Sequence, residues 1–300
     1  MTSLKHVVCA TDFSAPARDA AERAALVAAE TGASLTLLHV LPSGPLESVR
    51  QWLGAEPAEQ LQQQAQRELL QWADELTAAR GVRVVSRYAS GSVPDEVDRV
   101  AAALPADLVV LGARGAGVLR RLTLGTTAER LLRRTPRPVL VVRQTARELY
   151  RRVLLALDFS PSSRLVIDLA RQVAPQARPK LFHAWQVPFE EKLHFAGVAA
   201  ATITRYRGEA QAAATEKLFA LADEAGLDRQ SWDPLLVEGA ASQRLLEQEQ
   251  EQAADLVVLG KRGQSATEEL LLGSVTRHLI AEGTVDMLVA PSPGAMPGRG

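Results

Sequence analysis

The chain has 300 residues, of which 47% are hydrophobic, a formal net charge of −1 and a single cysteine. That length suits about two domains with ample core, and the near-neutral balance gives no general pull toward nucleic acid or an anionic membrane. One cysteine excludes a disulfide framework, no apolar stretch reaches the ~18–20 residues of a membrane span, and the N-terminus carries no signal-peptide h-region, so a soluble cytoplasmic protein is expected.

In chain order the first half alternates strands and helices. His6 to Thr11 is a strand containing Cys9, which is expected to be a buried thiol; Asp12-Phe13-Ser14 follows, then a helix from Ala15 to Glu30 stopped by Gly32. Ser34 to Leu41 is a second strand. Pro42 to Pro57, with three prolines and two glycines, reads as an irregular insertion. Ala58 to Arg80 is a Gln-rich helix, Val82 to Tyr88 a strand, Val93 to Leu104 a helix, and Asp107 to Leu111 a buried strand. A helix from Thr126 to Arg134 and a strand from Pro138 to Val142 close the unit.

The second half replays this order. Val153 to Leu157 leads into Asp158-Phe159-Ser160-Pro161, and Leu181-Phe182-His183-Ala184 matches Leu37-Leu38-His39-Val40. Phe189 to Ala225 is a long helical connection; strands over Ser231 to Val237, Asp255 to Leu259 and Val285 to Ala290, with a helix over Ala240 to Gln252, complete the copy. Strands alternating with helices imply right-handed crossovers. The expected fold is α/β: two tandem doubly wound domains, each a five-stranded parallel sheet flanked by helices, over 1–146 and 147–292, with 293–300 a disordered tail.

Each copy carries the same glycine pattern after its buried strand: Gly112-x2-Gly115-x9-Gly125-Thr126 and Gly260-x2-Gly263-x9-Gly273-Ser274. Gly112 and Gly115 are expected to use backbone conformations barred to residues with a β-carbon, and Gly125-Thr126 and Gly273-Ser274 to open helices whose free N–H groups and positive dipole ends favour phosphate. Turn glycines with a Thr or Ser N-cap explain either copy alone; recurrence at identical spacing, each with an Asp after strand one, favours phosphate. If strands one and four are neighbours where the strand order reverses, Asp12, Val40 and the first loop converge on one crevice, as do Asp158, Ala184 and the second. No Walker motif occurs, and Val118-Leu119-Arg120 after Gly117 breaks the dinucleotide fingerprint. The five histidines (His6, His39, His183, His194, His278) form no metal-ligand cluster, and the equivalent pair His39 and His183 is read as structural, its rings bonded near the strand ends.

These residues, with Pro138-Val139-Leu140-Val141-Val142, resemble the ATP-binding branch of the universal stress protein family over essentially the whole chain. The resemblance implies an adenine nucleotide (ATP, or AMP and ADP), with or without Mg²⁺. Adenine would lie near Asp12 and the Val40 backbone, and phosphates on Gly112, Arg114, Gly115, Gly125 and Thr126. The second set is Asp158, Ala184, Gly260, Arg262, Gly263, Gly273 and Ser274. It also implies pairing of the domains through their last strands within one chain, homodimers as a further assembly, and stress-response roles with little or no hydrolysis. A slow ATPase or AMP-transferring enzyme of the α-hydrolase kind and a nucleotide-free scaffold are the alternatives. Arg120-Arg121 aligns with Glu268-Glu269, which predicts two non-equivalent sites, the first favouring ATP. Thr284-Val285-Asp286 in place of Pro136-Arg137-Pro138 predicts a less regular last edge in the second copy.

Overall fold

A computed structural model describes residues 3–115, 124–187, 189–263 and 272–294. The first half runs β1 (His6–Thr11), α1 (Ala15–Thr31), β2 (Ser34–Pro42), α2 (Ser43–Leu53), α3 (Ala55–Arg80), β3 (Val84–Gly91), α4 (Val93–Ala103), β4 (Leu108–Gly112), α5 (Thr126–Arg134) and β5 (Val139–Val142). The second runs β6 (Val153–Ala156), α6 (Pro161–Val173), β7 (Lys180–Trp185), α7 (Glu190–Phe195), α8 (Ala200–Glu224), β8 (Asp233–Glu238), α9 (Ala241–Glu251), β9 (Leu256–Gly260), α10 (Ser274–Glu282) and β10 (Asp286–Ala290).

The ten strands form one sheet in the order β3-β2-β1-β4-β5-β10-β9-β6-β7-β8. Within each half every pairing is parallel; the halves meet where β5 and β10 pair antiparallel, Val139 opposite Val289 and Val141 opposite Met287. The last strand of the second copy is therefore regular, against the expectation from Thr284-Val285-Asp286, because Asp286 is drawn into the core by partners of its own. β4 and β9 share the run Leu-Val-Val-Leu-Gly and are buried on both faces, as parallel strands covered by helices require. Alternate strand residues feed two apolar layers, one under α1, α3, α6 and α8, the other under α4, α5, α9 and α10, and each layer runs through both halves. Cys9 lies in the first of these with no exposure, and burial pushes its thiol up to about 12, so it packs as an apolar side chain.

Residues 42–57 are not irregular. Pro45 and Pro57 fall in the first turns of α2 and α3, where a missing N–H costs no helical hydrogen bond, and Gly54, at φ 96°, supplies the break between the two helices. The long connection of the second half is likewise divided, into α7 and α8, at Gly197 with φ 74°. The end of the expected disordered tail, residues 295–300, lies outside the described residues.

Candidate functional site

The strand order reverses between β1 and β4 in the first half and between β6 and β9 in the second, and these pairs are hydrogen-bonded neighbours. Crevices for ligands form beyond the carboxyl ends of strands at such points. Asp12 is the first residue past β1, and Gly112 ends β4. A Cβ on Gly115 would sit 2.6 Å from Asp12 Oδ2, and one on Gly263 would sit 2.9 Å from Asp158 Oδ2. In both halves, then, the strand-end carboxylate and the glycine loop meet. A Cβ on Gly112 would lie 2.8 Å from Pro16 O, and one on Gly260 would lie 3.0 Å from Ser162 Cβ. None of these four glycines has a left-handed φ. The expected conformational role of Gly112 and Gly115 is thus replaced by a steric one: they let the loop press against the start of α1 and against a carboxylate.

The loop closes on itself. Gly125 N–H donates to Ala113 O at 2.8 Å and Gly273 N–H to Lys261 O at 3.0 Å, which brings the start of each following helix beside the loop entrance. A Cβ on Gly125 would be 3.7 Å from Gly115 N. The glycines themselves occupy the N-cap positions of α5 and α10, without a side-chain cap, while Thr126 and Ser274 are the first helical residues and are exposed. The two hydroxyls are therefore not N-caps. Arg114 and Arg262 lie in the loop entrances, half-buried. The Val40 side chain is in the core, so a ligand can meet only its backbone, and Ala184 holds the matching place near the end of β7.

Asp12 Oδ1 accepts the Ser14 N–H at 3.1 Å, and Asp158 Oδ1 accepts the Ser160 N–H at 3.0 Å. These turns are made possible by Phe13 and Phe159, which hold left-handed conformations at φ 62° and 61°. Such strain costs on the order of 1 kcal/mol or more and clusters at functional sites. Each ring stacks on a histidine, Phe13 on His39 with centroids 4.4 Å apart and Phe159 on His183 at 4.1 Å. His39 Nδ1 donates to Thr11 O and His183 Nδ1 to Leu157 O, both at 2.8 Å, as their structural role predicts. Burial lowers both pKa values below the ordinary 6.5, so the rings are neutral at pH 7. The repeated Asp-Phe-Ser could have flagged the phenylalanines, but strand periodicity gives no sign of φ.

The halves differ beside the carboxylate. Thr11 Oγ1 accepts the Phe13 N–H at 3.0 Å, whereas Leu157 stands at that place in the second copy. Ala17 is replaced by Ser163, whose hydroxyl donates to Asp158 Oδ1 at 3.1 Å. Ser160 Oγ is buried and has no partner among the described residues. Ala113 is replaced by Lys261, whose ammonium donates to the carbonyl of Arg133 and whose pKa burial lowers to about 8. Arg120, Arg121, Glu268 and Glu269 lie outside the described residues. Among the described residues no group of three or more His, Cys, Asp or Glu is placed to hold a metal ion, and no helix is long and apolar enough to cross a membrane.

This geometry defines a tandem doubly wound α/β protein with a glycine loop and a strand-end aspartate at each switch point. The chain belongs to the universal stress protein family, whose profile matches residues 3–143 and 149–291. A universal stress protein of Mycolicibacterium smegmatis is 29% identical, with 94% of this chain and 96% of that protein covered. Among solved structures, a universal stress protein from Archaeoglobus fulgidus superposes with a TM-score of 0.65 at 16% identity, covering 95% of this chain and 98% of that one. A protein of unknown function from Pseudomonas aeruginosa superposes with a TM-score of 0.62 at 17% identity over 98% and 94% of the two chains. The two superpositions bear on the fold alone.

Proposed function

We propose that the protein is an ATP-binding stress-response or signalling protein of the cytoplasm, with two non-equivalent adenine-nucleotide sites and at most weak hydrolysis. The observation that carries this is the contact of each strand-end carboxylate with a glycine whose Cβ position it nearly fills, 2.6 Å in one half and 2.9 Å in the other. That contact supports a site in which the strand-end carboxylate and the glycine loop face the same ligand. In the first site Asp12 and the backbone of Val40 receive adenine, and Gly112, Arg114, Gly115, Gly125 and Thr126 surround the phosphates. In the second, Asp158 and Ala184 take the base, and Gly260, Arg262, Gly263, Gly273 and Ser274 the phosphates. The amides opening α5 and α10 suit an anion. The buried, unpartnered Ser160 hydroxyl is a group that a ligand in the second site can satisfy. Mg²⁺, when bound with ATP, would neutralise phosphate charge.

The non-equivalence rests on Ala17 against Ser163, Ala113 against Lys261, and the opposite charges of Arg120-Arg121 and Glu268-Glu269. The first site is the tighter one for ATP. Saturating ATP should raise the unfolding midpoint by about 5 °C or more, since a ligand at ~100 times its Kd contributes about 2.7 kcal/mol. Gly115→Val should remove the larger part of that rise. An unchanged midpoint at millimolar ATP would refute the proposal.

A further inference from the structure

Each glycine loop leads into a helix whose far end is held by the other half of the chain. Helix α5 opens from the first loop at Gly125 and ends at Arg134. The last carbonyls of a helix need partners from outside it, and Arg133 O takes its hydrogen bond from the Lys261 ammonium. Lys261 belongs to the second loop. Its N–H donates to Ala290 O at 2.8 Å, and its carbonyl accepts the Gly273 N–H at 3.0 Å, the bond that closes that loop onto α10. With 6% exposure its stem has little room to swing. The reverse link runs through Arg143, whose guanidinium holds the carbonyls of Leu279, Ile280 and Gly283 at the end of α10. The residue before it, Val142, accepts the Ala113 N–H of the first loop at 2.8 Å. Ala113 stands where the second copy has Lys261, and Pro291 stands where the first has Arg143. Each half thus supplies a cation to the other from a different position of the repeat.

We propose that these crossed cations couple the two loop sites, and that Lys261 of the second half is a positioning residue for the anion at the first. A helix favours an anion at its start and a cation at its end, and here both act on the same nine-residue helix. Over its length of about 14 Å, in partly solvated surroundings, a unit positive charge shifts the affinity for an anion a few-fold. The Lys261 main chain is part of the closure of the second loop, so a displacement of that loop displaces the charge that supports the first. Linkage makes the dependence mutual: whatever the second loop does to anion binding at the first, an anion at the first does to the second. This rests on the nucleotide reading above and adds to it that the two sites do not bind independently.

The test follows equilibrium binding of labelled ATP to the full chain, the tighter phase being the one that Gly115→Val removes. Lys261→Met should weaken that phase about threefold, although Lys261 lies in the other half. Lys261→Gln, which keeps a donor for Arg133 O without the charge, should weaken it as much, and Lys261→Arg should restore it. Adenosine, which carries no phosphate, should displace ATP from the first site with the same affinity of its own in all of these chains. Gly263→Val, whose side chain meets Asp158, should remove the weaker phase and also weaken the tighter one; in a Lys261→Met chain it should weaken the tighter phase no further. A merely structural role for Lys261 would weaken ATP and adenosine alike. That result, additive losses in the double variant, or a tighter phase untouched by Lys261→Met overturns the proposal. Should the unaltered chain bind no ATP, the nucleotide reading falls and takes this inference with it.

Discussion

At the residue scale, the close approach of a carboxylate to a glycine organises each half, and the residues behind it are tuned by burial. His6, His39 and His183 all have pKa values lowered by burial. Between a folded value below 6.5 and an unfolded value near 6.5, the unfolded chain binds the extra protons. The stability these rings contribute is therefore fully present above about pH 6.5 and is lost as pH falls toward their folded values, by up to ~1.4 kcal/mol per pH unit for each histidine. Urea unfolding of wild type and of His39→Asn/His183→Asn at pH 7.5 and 5.5 should show the smaller loss in the double variant, whose amides can still donate to Thr11 O and Leu157 O. Equal losses would contradict the assignment. Asp12, the glycines and the structural histidines were legible in the sequence because their types and spacing recur. The steric reason for Gly112 and Gly115 was not, since it depends on Pro16 O and Asp12 Oδ2 arriving from another element.

At the scale of elements, strands and most helices follow from periodicity, and α5 was legible to the residue because Gly125 and Thr135 bound it. Helix α2 was hidden by reading Pro42, Gly44, Pro45, Gly54 and Pro57 as loop signals, although two of these prolines sit in first turns. Also invisible was the exchange between the two helices that open from the glycine loops. The C-terminal carbonyls of α5 receive Lys261 from the second half. Those of α10 receive Arg143 from the first, which bonds Leu279 O at 3.2 Å, Ile280 O at 2.9 Å and Gly283 O. A cation at a helix C-terminus is favoured by the dipole. Arg143→Ala should destabilise by about 2 kcal/mol, and Lys261→Met, which keeps the stem and removes a partly desolvated charge, by about 1 kcal/mol or less, as read from urea midpoints. No change with Arg143→Ala would show that these carbonyls do not need the guanidinium.

At the scale of the whole molecule, the halves are held together by more than β5 and β10. Asp286, with no exposure, accepts the Arg143 N–H at 2.8 Å, the Gln144 N–H at 3.0 Å and the Tyr150 hydroxyl at 2.6 Å, and Arg23 Nε of α1 lies 3.2 Å away. Arg23 also stacks on the Tyr150 ring at 4.0 Å and donates to Glu148 O at 2.6 Å. Helix α1, the connection between the halves and β10 thus share one buried ionic cluster. Asp286→Ala leaves the Arg23 charge uncompensated and should cost about 3–5 kcal/mol in chemical unfolding; a loss below about 1 kcal/mol would show that the cluster does not join the halves. Duplication was legible from the glycine pattern, and the pairing of the halves through their last strands, implied by the family resemblance, is what β5 and β10 make; the antiparallel register and the buried Asp286 behind it were not legible, because local sequence marks that residue only as polar. The most direct measurement of the central claim is equilibrium dialysis of labelled ATP against the intact chain. Two ATP per chain at unequal affinities are expected, with Gly115→Val removing the tighter phase and Gly263→Val the weaker. No saturable binding at millimolar ATP, or two identical phases, would contradict it.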